Sequence, residues 1–225
     1  MKLDSKTAQI LKNFARIYES IFIDTGKKIG TISKAETIFA VATVDVPFEM
    51  PFAIHDLKKF WGVISLMDDP ELDFKEKYVT ITDGNERSID YYYCNPDFII
   101  KPPKEIMSGE GSINKDIEFS LPGDELQMAL DAADSLRLPF IAFRGINGIL
   151  SIEATDKENG VSADRYKKTL MEIDNDRDFC FYLPRATFVM LDLDYDVIID
   201  RGGCVQFATP TLSYWICCDV ESYYN

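Results

Sequence analysis

The chain has 225 residues, 46% apolar and 28% charged, with a formal net charge of −14. That is enough apolar material for one large domain or two small ones, each with its own core, and no apolar run approaches the roughly 18 residues of a membrane span. The acidity excludes tight nonspecific binding of nucleic acid by an outer basic surface, because phosphate contacts need Lys and Arg. The charge is uneven: residues 1–95 carry 12 basic and 15 acidic side chains, 96–118 carry 3 and 5, and 119–225 carry 9 and 18. A first half this nearly balanced could hold DNA topologically if its basic residues faced inward. Met1 to Lys6 has no hydrophobic signal core, so no export is expected. Cys94, Cys180, Cys204, Cys217 and Cys218 lack metal-ligand spacing, and they are expected to be free thiols in a reducing compartment.

The first predicted element is a helix over Thr7–Tyr18. Ile10, Leu11, Phe14, Ile17 and Tyr18 form its apolar stripe, with Asp4 or Ser5 as N-cap. At about 100° per residue, Ser5, Gln9, Lys12 and Arg16 fall on the opposite face. Ile21–Ile23 then leads to a turn at Thr25-Gly26, and Thr37–Val44 alternates as a strand. A second helix spans Leu57–Leu66, burying Leu57, Phe60, Trp61 and Ile64 and turning Lys58, Lys59 and Gly62 away. Tyr78–Thr82 turns at Asp83-Gly84-Asn85 into Ser88–Cys94. Hairpins of this kind build antiparallel sheet.

Asn95–Lys115 holds Pro96, Pro102, Pro103, Gly109 and Gly111. Proline fixes φ and donates no hydrogen bond, so this stretch is expected to be an extended connector. The order then repeats. A helix over Asp124–Leu136 precedes the hairpin Phe140–Arg144, Asn147-Gly148, Ile149–Ala154. A short helix over Leu183–Leu191 follows, then Val197–Ile199, a turn at Arg201-Gly202-Gly203, Cys204–Ala208 and Leu212–Cys218. Leu183, Arg185 and Met190 have the offsets of Leu57, Lys59 and Ile64, and both helices lead into acidic turns. The fold class is therefore α+β: two similar domains of antiparallel sheet with two short helices each, at 1–95 and 116–225 with the connector at 96–115.

Catalytic apparatus is missing from the pattern. His55, the single histidine, begins the second helix, where a solvated or capping role is the simpler reading. No phosphate loop or dinucleotide fingerprint is present. Asp174, Asp176 and Asp178, and Asp192, Asp194 and Asp196, have D-x-D-x-D spacing. A calcium loop would need Gly at position six and Glu at twelve, and both ladders lack them. Neither a metal, a cofactor nor a catalytic residue is expected, and the acidic ladders are expected to be solvated turns.

Two stretches carry a resemblance: Met1-Lys2-Leu3 with Leu11-Lys12-Asn13-Phe14-Ala15, and Ile54-His55-Asp56-Leu57 through Gly62-Val63-Ile64-Ser65-Leu66. Over roughly its first 70 residues the chain resembles the DNA polymerase sliding clamp, the processivity factor, of T-even-like tailed phages. Beyond that point the duplicated pattern carries the likeness. The resemblance implies a DNA-clamp fold and a homotrimeric ring around duplex DNA in the cytoplasm of the infected bacterium. It implies loading by an ATP-driven clamp loader, tethering of the replicative DNA polymerase, and a part in late transcription.

On the same resemblance, Lys12, Arg16, Lys58, Lys59, Arg137 and Arg185 face DNA. The polymerase tail docks beside the connector at Val46, Phe98, Ile99, Ile100 and Tyr223. Subunits join where Ser88–Cys94, with Ser88, Asp90 and Tyr92, pairs with 163–171 of the next copy, with Arg165, Lys167 and Thr169. Lys167 and Lys168 are then expected to meet the run that contains Asp90. One feature departs from this pattern. The face of the third helix opposite Leu126, Ala129, Leu130 and Ala133 carries Gln127, Asp131, Asp134 and Ser135, where a DNA-lining helix should be basic. A phage-particle scaffold subunit that uses the duplicated sheet for self-association is the alternative, and a hydrolase built on clustered carboxylates is a third.

Overall fold

The structure, a computed structural model, describes residues 1–83, 86–108, 113–158, 164–174 and 177–225. Gly84 and Asn85 of the predicted turn, Gly109 and Gly111 of the connector, Ala163 and Asp176 lie outside the described residues. Two compact units divide the chain, Met1–Ser112 and Ile113–Asn225.

In the first unit, helix α1 spans Ser5–Ile17. Asp4 caps it: Thr7 donates its N–H and its hydroxyl to the two carboxylate oxygens, each at 2.7 Å. Strands β1 (Ile21–Ile23), β2 (Gly26–Ile32), β3 (Ile38–Phe48) and β4 (Phe52–Ile54) follow. β2 and β3 form an antiparallel hairpin, but β1 pairs with β4 across the unit, not with the strand beyond Thr25-Gly26. Helix α2 spans Leu57–Ile64 and is capped by Asp56, which accepts from the Lys59 N–H at 2.8 Å. His55, just before that cap, is exposed. β5 (Glu71–Phe74), β6 (Tyr78–Thr82) and β7 (Ser88–Tyr92) make a three-stranded antiparallel sheet. The core sits under α1 and α2, where Ile10, Leu11, Phe14, Leu57 and Phe60 are buried with Ile29, Ala40 and Ala42 of the hairpin.

The connector is neither extended throughout nor free of helix. Pro96–Phe98 is a 3-10 turn capped by Asn95, and Lys104–Ser108 is a short helix, α3. Proline opposes the interior of a helix but not its first turn, so Pro102 and Pro103 precede α3 without obstructing it. Ile99 is 6% exposed, the Lys101 ammonium lies 3.9 Å from the Phe22 ring centroid, and Lys28 Nζ donates to the Ser108 carbonyl at 2.8 Å. These contacts tie the connector to the first unit.

In the second unit, β8 (Ile117–Leu121) leads into α4 (Gly123–Leu136). β9 (Phe140–Ile146), β10 (Ile149–Thr155), β11 (Tyr166–Glu172), β12 (Phe179–Pro184) and β16 (Tyr223–Tyr224) form a sheet in the order β11-β10-β9-β12-β16. The β9–β10 hairpin turns at Asn147 and Gly148, both at positive φ (50° and 74°), the backbone signature of the tight primed turns that suit strand twist. β13 (Tyr195–Asp200), β14 (Cys204–Ala208) and β15 (Leu212–Cys217) run antiparallel in the order β15-β14-β13-β8. α4 packs on β9, β10 and β11.

The expected helix over Leu183–Leu191 is not formed. Leu183 and Pro184 end β12, and only Arg185–Thr187 turns, as a single 3-10 turn. Pro184 stays extended, and the Thr187 hydroxyl donates to its carbonyl at 2.7 Å, a local bond that closes the turn on itself. Leu183 faces the sheet core at 0% exposure. Its apparent helical spacing with Met190 arises from a strand residue followed by a turn. Lys59 and Arg185 therefore share sequence offsets but not secondary structure.

Candidate nucleic-acid interface

α1 and α2 pack on each other in the first unit. Burial of Ile10, Leu11 and Phe14 on one, and of Leu57, Phe60, Trp61 and Ile64 on the other, leaves Lys12, Arg16, Lys58 and Lys59 exposed. Neither helix contains an acidic residue. Among the described residues none of these four cations makes an ion pair. Lys12 instead lies over the indole of Trp61, with Nζ 5.1 Å from the ring centroid. Cations not neutralised by the protein's own carboxylates remain available to an external anion. This is the arrangement expected of a surface that meets phosphates without reading bases.

α4 is built the other way. Its sequence holds Asp124, Glu125, Asp131 and Asp134 and no base. Asp124 and Glu125 occupy the first turn, where negative charge complements the helix dipole. The N-cap position is Pro122, which gives no side-chain bond, so Asp194 reaches in to accept from the Gly123 N–H at 2.8 Å. Asp196, from the same ladder, accepts from the Ser120 hydroxyl at 2.9 Å. The remaining acids have partners inside the unit: Lys168 with Glu125 at 2.6 Å, Gln127 with Asp131 at 2.7 Å, and Arg185 with Asp134 at 2.7 Å. Arg137 closes the helix at φ 55° and is exposed. The two second-unit cations of the predicted set thus flank the last turn of α4, and Arg185 is engaged there.

The two strands expected to join subunits are each the last strand of their sheets among the described residues, β7 beside β6 and β11 beside β10. Ser88, Asp90 and Tyr92 share the exposed face of β7. Thr80 donates its hydroxyl to Asp90 at 2.7 Å, and the ring of Tyr92, 67% exposed, packs tilted against that of Tyr78 with centroids 5.2 Å apart. Arg165, Lys167 and Thr169 are exposed at and before β11. Within the unit Lys167 already approaches Glu153 at 3.5 Å, and Lys168 holds Glu125. Glu153, 1% exposed, also takes Arg144 Nε at 3.2 Å. A buried carboxylate therefore links β9, β10 and the edge strand β11, a contact that no local sequence signal announces.

The expected docking residues differ in exposure and in the elements that carry them. Phe98 is 77% exposed and Ile100 is exposed, while Ile99 is buried and pins the connector. Val46 lines a cavity of about 640 Å³ with Met1, Pro47, Met50, Leu72 and Phe74, and the three connector residues are not among its lining. Tyr223 sits in β16, opposite Cys180. The cysteines are free thiols, and burial pushes Cys204 up to about 12 and raises Cys180 and Cys218, which keeps them protonated and unreactive.

No family model matches the chain. The sliding clamp of Vibrio phage KVP40 is 31% identical over 218 residues, 96% of this chain and 98% of that protein. The chain belongs to the sliding clamps. A second relative, the sliding clamp of Escherichia phage RB69, is 28% identical over 234 residues, covering 99% of this clamp and 98% of its own length. Among solved structures, PCNA from Thermococcus kodakaraensis superposes with a TM-score of 0.68 at 12% identity, over 96% of this clamp and 98% of that chain. The beta chain of DNA polymerase III from Streptococcus pneumoniae gives 0.67 at 14% identity over 96% of this clamp, which spans 63% of that longer chain. Both likenesses establish the DNA-clamp fold. As a sliding clamp the protein is a non-enzymatic processivity factor of phage DNA replication, and the particle-scaffold and hydrolase readings are set aside.

Proposed function

We propose that three copies of this clamp close head to tail into a ring that encircles duplex DNA and tethers the replicative DNA polymerase. The ring acts in the cytoplasm of the infected bacterium, is opened and closed by an ATP-driven clamp loader, and also assists late transcription. The observation that carries this reading is the pair of open sheet edges, β7 and β11, on a chain of the sliding-clamp family. An edge strand presents unpaired N–H and C=O groups that another chain can complete. Joining two different edges gives a heterologous contact, and such contacts form a ring when the rotation closes. DNA meets Lys12, Arg16, Lys58 and Lys59 as an anion of unspecified sequence, so the ring slides. The polymerase tail docks at the exposed connector residues Phe98 and Ile100.

Sedimentation of the full chain at micromolar concentration should give the mass of three subunits. The ring should stimulate polymerase on circular primed DNA and dissociate from linear DNA by running off its ends. A monomer across the micromolar range would remove the ring, and an intact trimer that fails to raise processivity with a cognate polymerase and loader would remove the tethering role.

A further inference from the structure

Trp61 has a feature that packing alone does not account for. It is 8% exposed, and its indole Nε1 has no hydrogen-bond partner among the described residues. A buried donor left unmade is costly, and Phe or Leu would fill an apolar site without incurring it. What the indole offers beyond volume is its face, the strongest of the aromatic side chains for a cation. Lys12 occupies that face, with Nζ 5.1 Å from the centroid. Lys58 precedes Trp61 by three residues, hence lies on the adjoining part of the same helix surface. The face of Trp61 thus brings a cation of α1 onto α2, the helix that carries Lys58 and Lys59. Without that ring, repulsion from Arg16, its i+4 neighbour, would favour Lys12 rotamers that point away from it.

We propose that Trp61 is a positioning residue for DNA. Its indole face holds the Lys12 ammonium against α2, so that the cations of α1 and α2 form one phosphate-binding patch. This rests on the reading of those cations as DNA-facing. The ligand is the phosphodiester backbone of a duplex, and no base preference is involved.

The test uses the full-length assembled clamp and a dye-labelled linear duplex titrated across a salt series, with no loader. Lys12→Met and Trp61→Leu should each lower the salt slope by about 0.9 for every Lys12 that meets a phosphate. The double variant should lower it no further than either alone, and Trp61→Phe, whose face attracts a cation less strongly, should give a slope between those of wild type and Trp61→Leu. A wild-type slope in Trp61→Leu beside a reduced slope in Lys12→Met overturns the positioning role. A wild-type slope in Lys12→Met overturns the DNA-facing assignment, and the inference falls with it. If Trp61→Leu fails to fold by circular dichroism, Trp61 emission decides, taken as wild type minus Trp61→Phe to remove Trp215. It should shift in Lys12→Met, and an unmoved emission overturns the proposal.

Discussion

The helices of the two units treat charge in opposite ways. α1 and α2 carry bases without acids, and those bases have no ionic partner among the described residues. α4 carries acids without bases, and cations or donors of its own unit meet them. The duplicated pattern of the chain is therefore a duplication of architecture and not of electrostatics. One copy leaves its charges open to an external anion, and the other uses its charges to fasten a helix to a sheet.

The largest expected effect tests the open side. Changing Lys12, Arg16, Lys58 and Lys59 together to Ala should leave secondary structure and trimer mass unchanged, because none of the four is buried. The salt slope of duplex binding should fall by about 3.6 per subunit in contact, four contacts at about 0.9 each. Primer extension on circular DNA should shorten, most at high salt. Equal processivity at every salt concentration would break the comparison.

The next effect tests the fastened side. Glu153→Ala leaves Arg144 and Lys167 without the carboxylate between them, and breaking a largely buried pair costs about 3 kcal/mol. Urea denaturation should register that loss. A cost below about 1 kcal/mol would reduce the network to an ordinary surface pair.

A smaller effect separates helix anchoring in the first unit from its open charge. The Asp4 carboxyl lies below its usual value because the Thr7 hydroxyl and N–H donate to it. A depressed carboxyl contributes stability that is complete above its unfolded value of about 3.9 and is lost as pH falls through the lower folded value. Asp4→Ala should cost about 1 kcal/mol at neutral pH. Asp4→Asn should keep a cap while flattening the acid limb of a pH-dependent thermal melt.

The smallest effect is the sharpest discriminator. Arg185→Ala should cost about 0.5 kcal/mol, since its partner Asp134 is largely solvated, and should leave the salt slope of duplex binding unchanged. A slope reduced as much as in Lys12→Met would return Arg185 to the DNA-facing set.

Much of this was legible in the sequence, for identifiable reasons. The stripes of α1, α2 and α4, with Asp4 already among the candidate caps, put Lys12, Arg16, Lys58 and Lys59 outward by rotation alone. The 3-10 turn at Arg185 and the helix α3 were hidden, because prolines beside both made the local pattern ambiguous between helix, strand and loop. The engagement of Arg185 was beyond local reading altogether, since Asp134 is 51 residues away along the chain. The same holds for the burial of Glu153, which depends on side chains from β9 and β11.

Gly30 in β2 has a wider consequence. A side-chain carbon there would overlap the Met107 sulfur and come within 3.2 Å of the Ala40 carbonyl oxygen. The missing carbon is a notch in the hairpin surface, and Met107 of α3 is the tooth that seats in it. An alanine at position 30 would have to push the Met107 side chain out of that notch, so the close seat of α3 on the hairpin depends on one absent methyl group.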